Sequence, residues 1–101
     1  MSSMTKDDLT LIIKEGKKIN TVKKMLKNRG YHNTRFYKPT KGTNLQDIAR
    51  ACMIEANEMD FGDYWLFGST GVFKGFEWVW LEETKKEPVH YNVSIWTKEI
   101  T

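Results

Sequence analysis

FGDYWLFGSTGVFKGFEWVW, residues 61–80, carries eight of the chain's thirteen aromatic residues and four of its seven glycines. Side chains along a strand alternate between its two faces, so this segment can be divided residue by residue. Across Val72–Glu83, Glu77, Val79 and Leu81 share one side, and Phe76, Trp78 and Trp80 share the other. Across Asp63–Phe67, Tyr64 and Leu66 oppose Trp65 and Phe67. Both sides are large and largely apolar, whereas a sheet covered on one face needs only one apolar set. Either helices are divided between the two faces, or Phe76, Trp78 and Trp80, with Trp96 alongside, form a half-open surface for a partner.

Working outward, Gly68–Gly71 is expected to turn the chain between two strands, and Gly75 to allow a bulge or close packing against a Trp. TKKEP, 84–88, reads as a second turn, with Pro88 at a strand start. In VHYNVSIW, 89–96, Val89, Tyr91, Val93 and Ile95 make an apolar face expected to look into the core. His90, Asn92, Ser94, Trp96 and Lys98 take the opposite face. The short connections predict a three-stranded antiparallel meander.

The N-terminal half is helical in pattern. In residues 5–15, Thr5 can cap the first turn, Asp7 and Asp8 suit the helix dipole, and Gly16 supplies the stop. Leu9, Ile12 and Ile13 form its apolar stripe. A second helix is expected over Thr21–Asn28, capped by Asn20, with Val22, Met25 and Leu26 inward and Gly30 past its end. YHNTRFYKP, 31–39, reads as a short strand near 33–38 or an extended connector. Thr43 and Gln46 form a capping box for a longer helix over about Leu45–Glu58. Its stripe runs Leu45, Ile48, Ala49, Cys52, Met53, Ala56, with Cys52 a small core residue. The expected architecture is therefore one α+β domain over residues 1–101, with two short N-terminal helices, the 45–58 helix and the C-terminal meander.

Composition narrows the function. Forty per cent hydrophobic and 29% charged residues describe a folding chain, and no apolar run reaches the ~18 residues of a membrane span. The polar start MSSMTKDD is not a secretory signal, and the lone Cys52 excludes an internal disulfide, so a cytoplasmic protein is expected. His32 and His90 have no partners at metal-ligand spacing, Ser69 lacks a nucleophile elbow, and Gly68–Gly71 lacks the P-loop lysine. Glu55, Glu58, Asp60 and Asp63 read as a solvated acidic stretch. No catalytic residue, metal or cofactor is expected, and the protein is read as a non-enzymatic binder.

Charge is unevenly placed. Residues 1–50 hold twelve Lys or Arg against four acids, a balance of +8, whereas residues 51–101 balance at −5. Such asymmetry points to a polyanion. The candidate contacts are Lys17, Lys18, Lys23, Lys24, Lys27, Arg29, Arg35, Lys38 and Lys41 to phosphates, with Tyr31 and Tyr37 as stacking rings for DNA or RNA bases. The helix pair 5–15 and 20–28, joined by GKKIN, resembles the opening of a helix-turn-helix, but Pro39 leaves little room for a recognition helix. The alternative is an inhibitor or adaptor of the phage or mobile-element type. It would grip one protein through Phe76, Trp78, Trp80 and Trp96. The sequence says nothing of oligomeric state.

Overall fold

Thr5 opens the first helix as its sequence predicts. Its Oγ accepts the N–H of Asp8 (3.1 Å), and the Asp8 carboxylate accepts the N–H of Thr5 (3.1 Å), a reciprocal capping box. In the computed structural model, which describes residues 4–35, 45–51 and 57–100, this helix is α1 (Lys6–Gly16). It is followed by α2 (Ile19–Asn28), a short β1 (His32–Asn33), α3 (Leu45–Ala51), β2 (Asn57–Asp60), β3 (Tyr64–Phe73), β4 (Phe76–Lys86) and β5 (Val89–Glu99). The chain is α+β, and its sheet has five antiparallel strands in the order β1-β5-β4-β3-β2, so the expected meander gains a strand at each edge.

The aromatic segment folds differently from its turn signals. Gly68–Gly71 is not a loop: β3 runs straight through it, and the hairpin turn is Lys74-Gly75, with φ of 43° and 85°. Two positive-φ residues joining two strands are the pattern of the favoured tight hairpin. Gly75 therefore serves the turn, and Gly68 and Gly71 serve packing. A methyl at Gly68 would lie 2.7 Å from Ile13 Cδ1 and 2.8 Å from Leu9 Cδ2, and one at Gly71 would fall inside the Trp78 indole. The same exchange of roles occurs after α1. Gly16 lies where an added methyl would meet Val22 Cγ2 at 2.7 Å, and the positive φ of 56° falls to Lys17. Next, Lys18 rather than Asn20 is the N-cap of α2, without a side-chain bond, because Ile19 is drawn into the core as the first helical residue. Gly30, φ 89°, follows the helix as expected.

The predicted 45–58 helix ends earlier. Leu45 and Ala49 are buried, but Asn57–Asp60 pairs with Gly68–Trp65 as an edge strand. Sheet pairing across a three-residue connection takes Asn57 and Glu58 out of the predicted helix. The Thr43–Gln46 capping box and Cys52, Met53 and Ala56 lie outside the described residues and side chains.

Helices cover both faces of the sheet. On one, Leu9, Ile12 and Ile13 of α1 and Ile19, Val22 and Leu26 of α2 pack with Leu66, Val79, Leu81 and Trp96. On the other, Leu45 and Ala49 of α3 pack on Trp78, Trp80 and Ile95, with Phe67 and Phe73 at the margin. The surplus aromatics are thus the second side of a two-sided core. The final strand reverses its expected polarity over most of its length. Val89, Tyr91 and Val93 are 67%, 61% and 43% exposed, and Ile95 alone of that set is buried. Trp96, from the supposedly open side, is 1% exposed. The helices lie over the 95–97 end of β5, and that position outweighs alternation in deciding which residues are buried.

Candidate functional site

The basic residues of α2 are placed by its amphipathic period. With Val22 and Leu26 fixed inward, Asn20, Lys23, Lys24 and Lys27 turn to its polar side. Lys24 and Lys27 are exposed, and Lys23 is half-buried. Lys27 Nζ stands over the Trp96 ring, 6.0 Å from its centre, above the indole that closes the core below. The Trp96 N–H donates to Ser94 Oγ at 2.9 Å.

The second wall comes from β1 and the turn that ends it. Thr34 donates from both its N–H (2.9 Å) and its Oγ (3.1 Å) to the Ile95 carbonyl, locking this turn to β5. Asn33 Oδ1 accepts the N–H of Arg35 at 3.0 Å, a local turn that presents the guanidinium stem towards α2. Between the walls lies a groove of about 470 Å³ bordered by Asn20, Lys23, Lys24 and Lys27 on one side and Asn33 and Arg35 on the other, floored by Trp96. A smaller hollow of about 310 Å³ continues it from Lys23 and Arg35 past Thr34 to Asn92 and Ser94. Among the described residues, no carboxylate lines either one. The salt bridge of Lys86 with Asp60, at 2.8 Å, lies elsewhere.

The remaining sequence candidates are dispersed. Lys17 and Lys18 are exposed in the connection between α1 and α2. Arg29 caps the end of α2, where its carbonyl accepts Lys98 Nζ at 2.8 Å. It borders a separate hollow of about 690 Å³ that also holds Asp8, Glu77, Tyr31 and Lys98, a mixed rather than basic lining. Glu77, 5% exposed, accepts the N–H of Met4 at 2.7 Å there and ties the start of α1 to the sheet. Tyr31 does not offer a ring for stacking. It is 3% exposed, with Lys98 Nζ 5.4 Å from its ring centre. Burial, reinforced by the Glu77 carboxylate, pushes its hydroxyl up to about 12. Lys38, Lys41 and Tyr37 lie outside the described residues.

Phe76, Trp78 and Trp80 are 7%, 0% and 3% exposed, beneath the α3 side of the sheet, and Trp96 is buried on the opposite face, so these four do not form one surface. Register explains the separation: Trp96 stands opposite Val79, while Trp78 and Trp80 stand opposite Thr97 and Ile95. The polar members of the groove, Asn20, Asn33, Asn92 and Ser94, carried no recognisable signal, because only pairing of β1 with β5 brings them to α2. Among the described residues, no group of three or more His, Cys, Asp or Glu could hold a metal ion, and no helix is long and apolar enough to cross a membrane. No protein-family model matches the chain, and no match was found among curated proteins or solved structures.

Proposed function

We propose that the protein binds nucleic acid through its phosphate backbone, in the groove between α2 and the β1–β5 edge. The observation that carries this reading is the lining, in which no described residue is acidic and Lys23, Lys24 and Lys27 face Arg35 with Asn20 and Asn33 between them. Cations on a flexible stem suit phosphate, and amide groups beside them donate to phosphate and sugar oxygens without reading sequence. The ring floor is covered by Lys27 and buried, so the contacts supported by the described residues are ionic and polar rather than stacked. Asp60, Asp63 and Glu87 lie instead at the two far hairpins, β2–β3 and β4–β5. A bipolar molecule of this kind orients its basic end towards a polyanion before contact.

Titration of a labelled oligonucleotide at increasing salt tests the reading. Each phosphate contact contributes about 0.9 to the log–log salt slope on duplex and about 0.7 on a single strand. The triple variant Lys23→Glu, Lys24→Glu, Lys27→Glu is expected to abolish binding, and Lys85→Glu, at the other end of the sheet, to leave it nearly unchanged. Affinity insensitive to salt, or equal in the triple variant, would sink the proposal. The protein-directed alternative loses its named anchor, since Phe76, Trp78, Trp80 and Trp96 are buried.

A further inference from the structure

β5 is eleven residues long, yet β1 pairs only with its far end, His32 opposite Thr97 and Asn33 opposite Trp96. The last bond of that ladder among the described residues runs from the Thr34 N–H to the Ile95 carbonyl, where Asn33–Arg35 forms a turn. That bond fixes a parity. In an antiparallel strand the N–H and C=O of one residue point the same way, and direction alternates along the chain. Since Ile95 points away from β4, so do Val93, Tyr91 and Val89, and no described residue bonds their outward groups. Their side chains are the exposed apolar ones on the α3 face.

Native proteins usually blunt such an edge with lysine, inward charge, proline or a bulge. Here Val89–Thr97 contains no Lys, Arg, Asp or Glu, and its register with β4 runs unbroken from Lys86–Val89 to Phe76–Glu99. The apolar set Val89, Tyr91, Val93 also reads identically in both directions about Tyr91.

We infer that this edge pairs antiparallel with the same edge of a second copy, forming a two-fold dimer with one continuous sheet. Outward groups must meet outward groups, and the Ile95 carbonyl is already engaged. The register that engages all three outward residues without Ile95 sets Tyr91 opposite the second copy's Tyr91, and Val89 opposite its Val93. An isologous contact needs a self-complementary strip, and an uncharged palindromic one meets its own copy without like-charge repulsion. Because the axis is normal to the sheet, both α2 grooves lie on one side of it. The dimer itself does not depend on the nucleic-acid reading.

Sedimentation equilibrium on the full chain, freed of nucleic acid by nuclease and high salt, tests this over a range of concentrations. The parent chain is expected to show a monomer–dimer equilibrium. Tyr91→Glu, which sets two carboxylates together, and Val93→Pro, which deletes an outward N–H without touching the β4 ladder, should each weaken it by about tenfold or more. Both should keep the native circular dichroism spectrum. If either variant does not fold, hydrogen exchange on the parent chain decides, through protection of the Val89, Tyr91 and Val93 amides that rises with protein concentration. A chain monomeric throughout, a dimer indifferent to either variant, or edge amides whose exchange ignores concentration would each overturn strand pairing.

Discussion

The two faces of the sheet are closed by unequal means. On one, α1 and α2 contribute six buried apolar side chains over Leu66, Val79, Leu81 and Trp96. On the other, α3 contributes Leu45 and Ala49, and the sheet supplies most of the bulk itself through Trp78, Trp80 and Ile95. The first face also spends its polar groups well, since Glu77 holds the Met4 amide. The second leaves Trp78 Nε1 and Thr97 Oγ1 buried with no hydrogen-bond partner among the described residues. Where helical cover is scarce, large rings do the filling, and their demand for space is met by removing side chains opposite them, as at Gly71.

The largest break expected in this comparison is on the lightly covered face. Trp78→Ala should cost about 3–5 kcal/mol in urea denaturation, because a fully buried ring leaves a cavity that few neighbours can refill. Gly71→Ala should cost about 1–3 kcal/mol by overpacking the same ring. Loss of less than about 0.5 kcal/mol in both would mean this side contributes no core.

Thr97→Val sharpens the comparison in the opposite direction. Removing a buried, unbonded hydroxyl of similar shape should stabilise the protein by about 1 kcal/mol, read as a higher urea midpoint at constant slope. A destabilised variant would show that the hydroxyl has a partner.

The remaining effect belongs to the first face and appears only at high pH. The Tyr31 hydroxyl is neutral in the folded protein up to about 12, against an ordinary value of 10.0. Between those values the unfolded chain releases a proton that the folded chain retains, so stability should fall as pH rises through this window and be unaffected below it. Tyr31→Phe should flatten that part of the stability–pH curve. An unchanged slope in the variant would assign the loss to other groups.

Much of this was legible along the chain. The Thr5 cap, the stripes of α1 and α2 and the antiparallel character of the C-terminal half follow from local rules of capping and periodicity. So does the basic side of α2, since fixing Val22 and Leu26 inward leaves Lys23, Lys24 and Lys27 nowhere else to go. Glycine was less transparent. Gly68 and Gly71 look like turn residues in the sequence, yet are needed for lack of a side chain, while Gly75 supplies the turn. Both uses come from the missing Cβ, and only the tertiary neighbours distinguish them.

FGDYWLFGSTGVFKGFEWVW by itself determined that two strands with two apolar faces would form, because alternation is a property of the extended backbone. Which face is covered along which length was decided in three dimensions. α3 lies over Trp78, Trp80 and Ile95 and leaves Val89, Tyr91 and Val93 in solvent, although all belong to the same period-2 pattern. Burial depends on what lies above a residue, and that partner is remote in sequence.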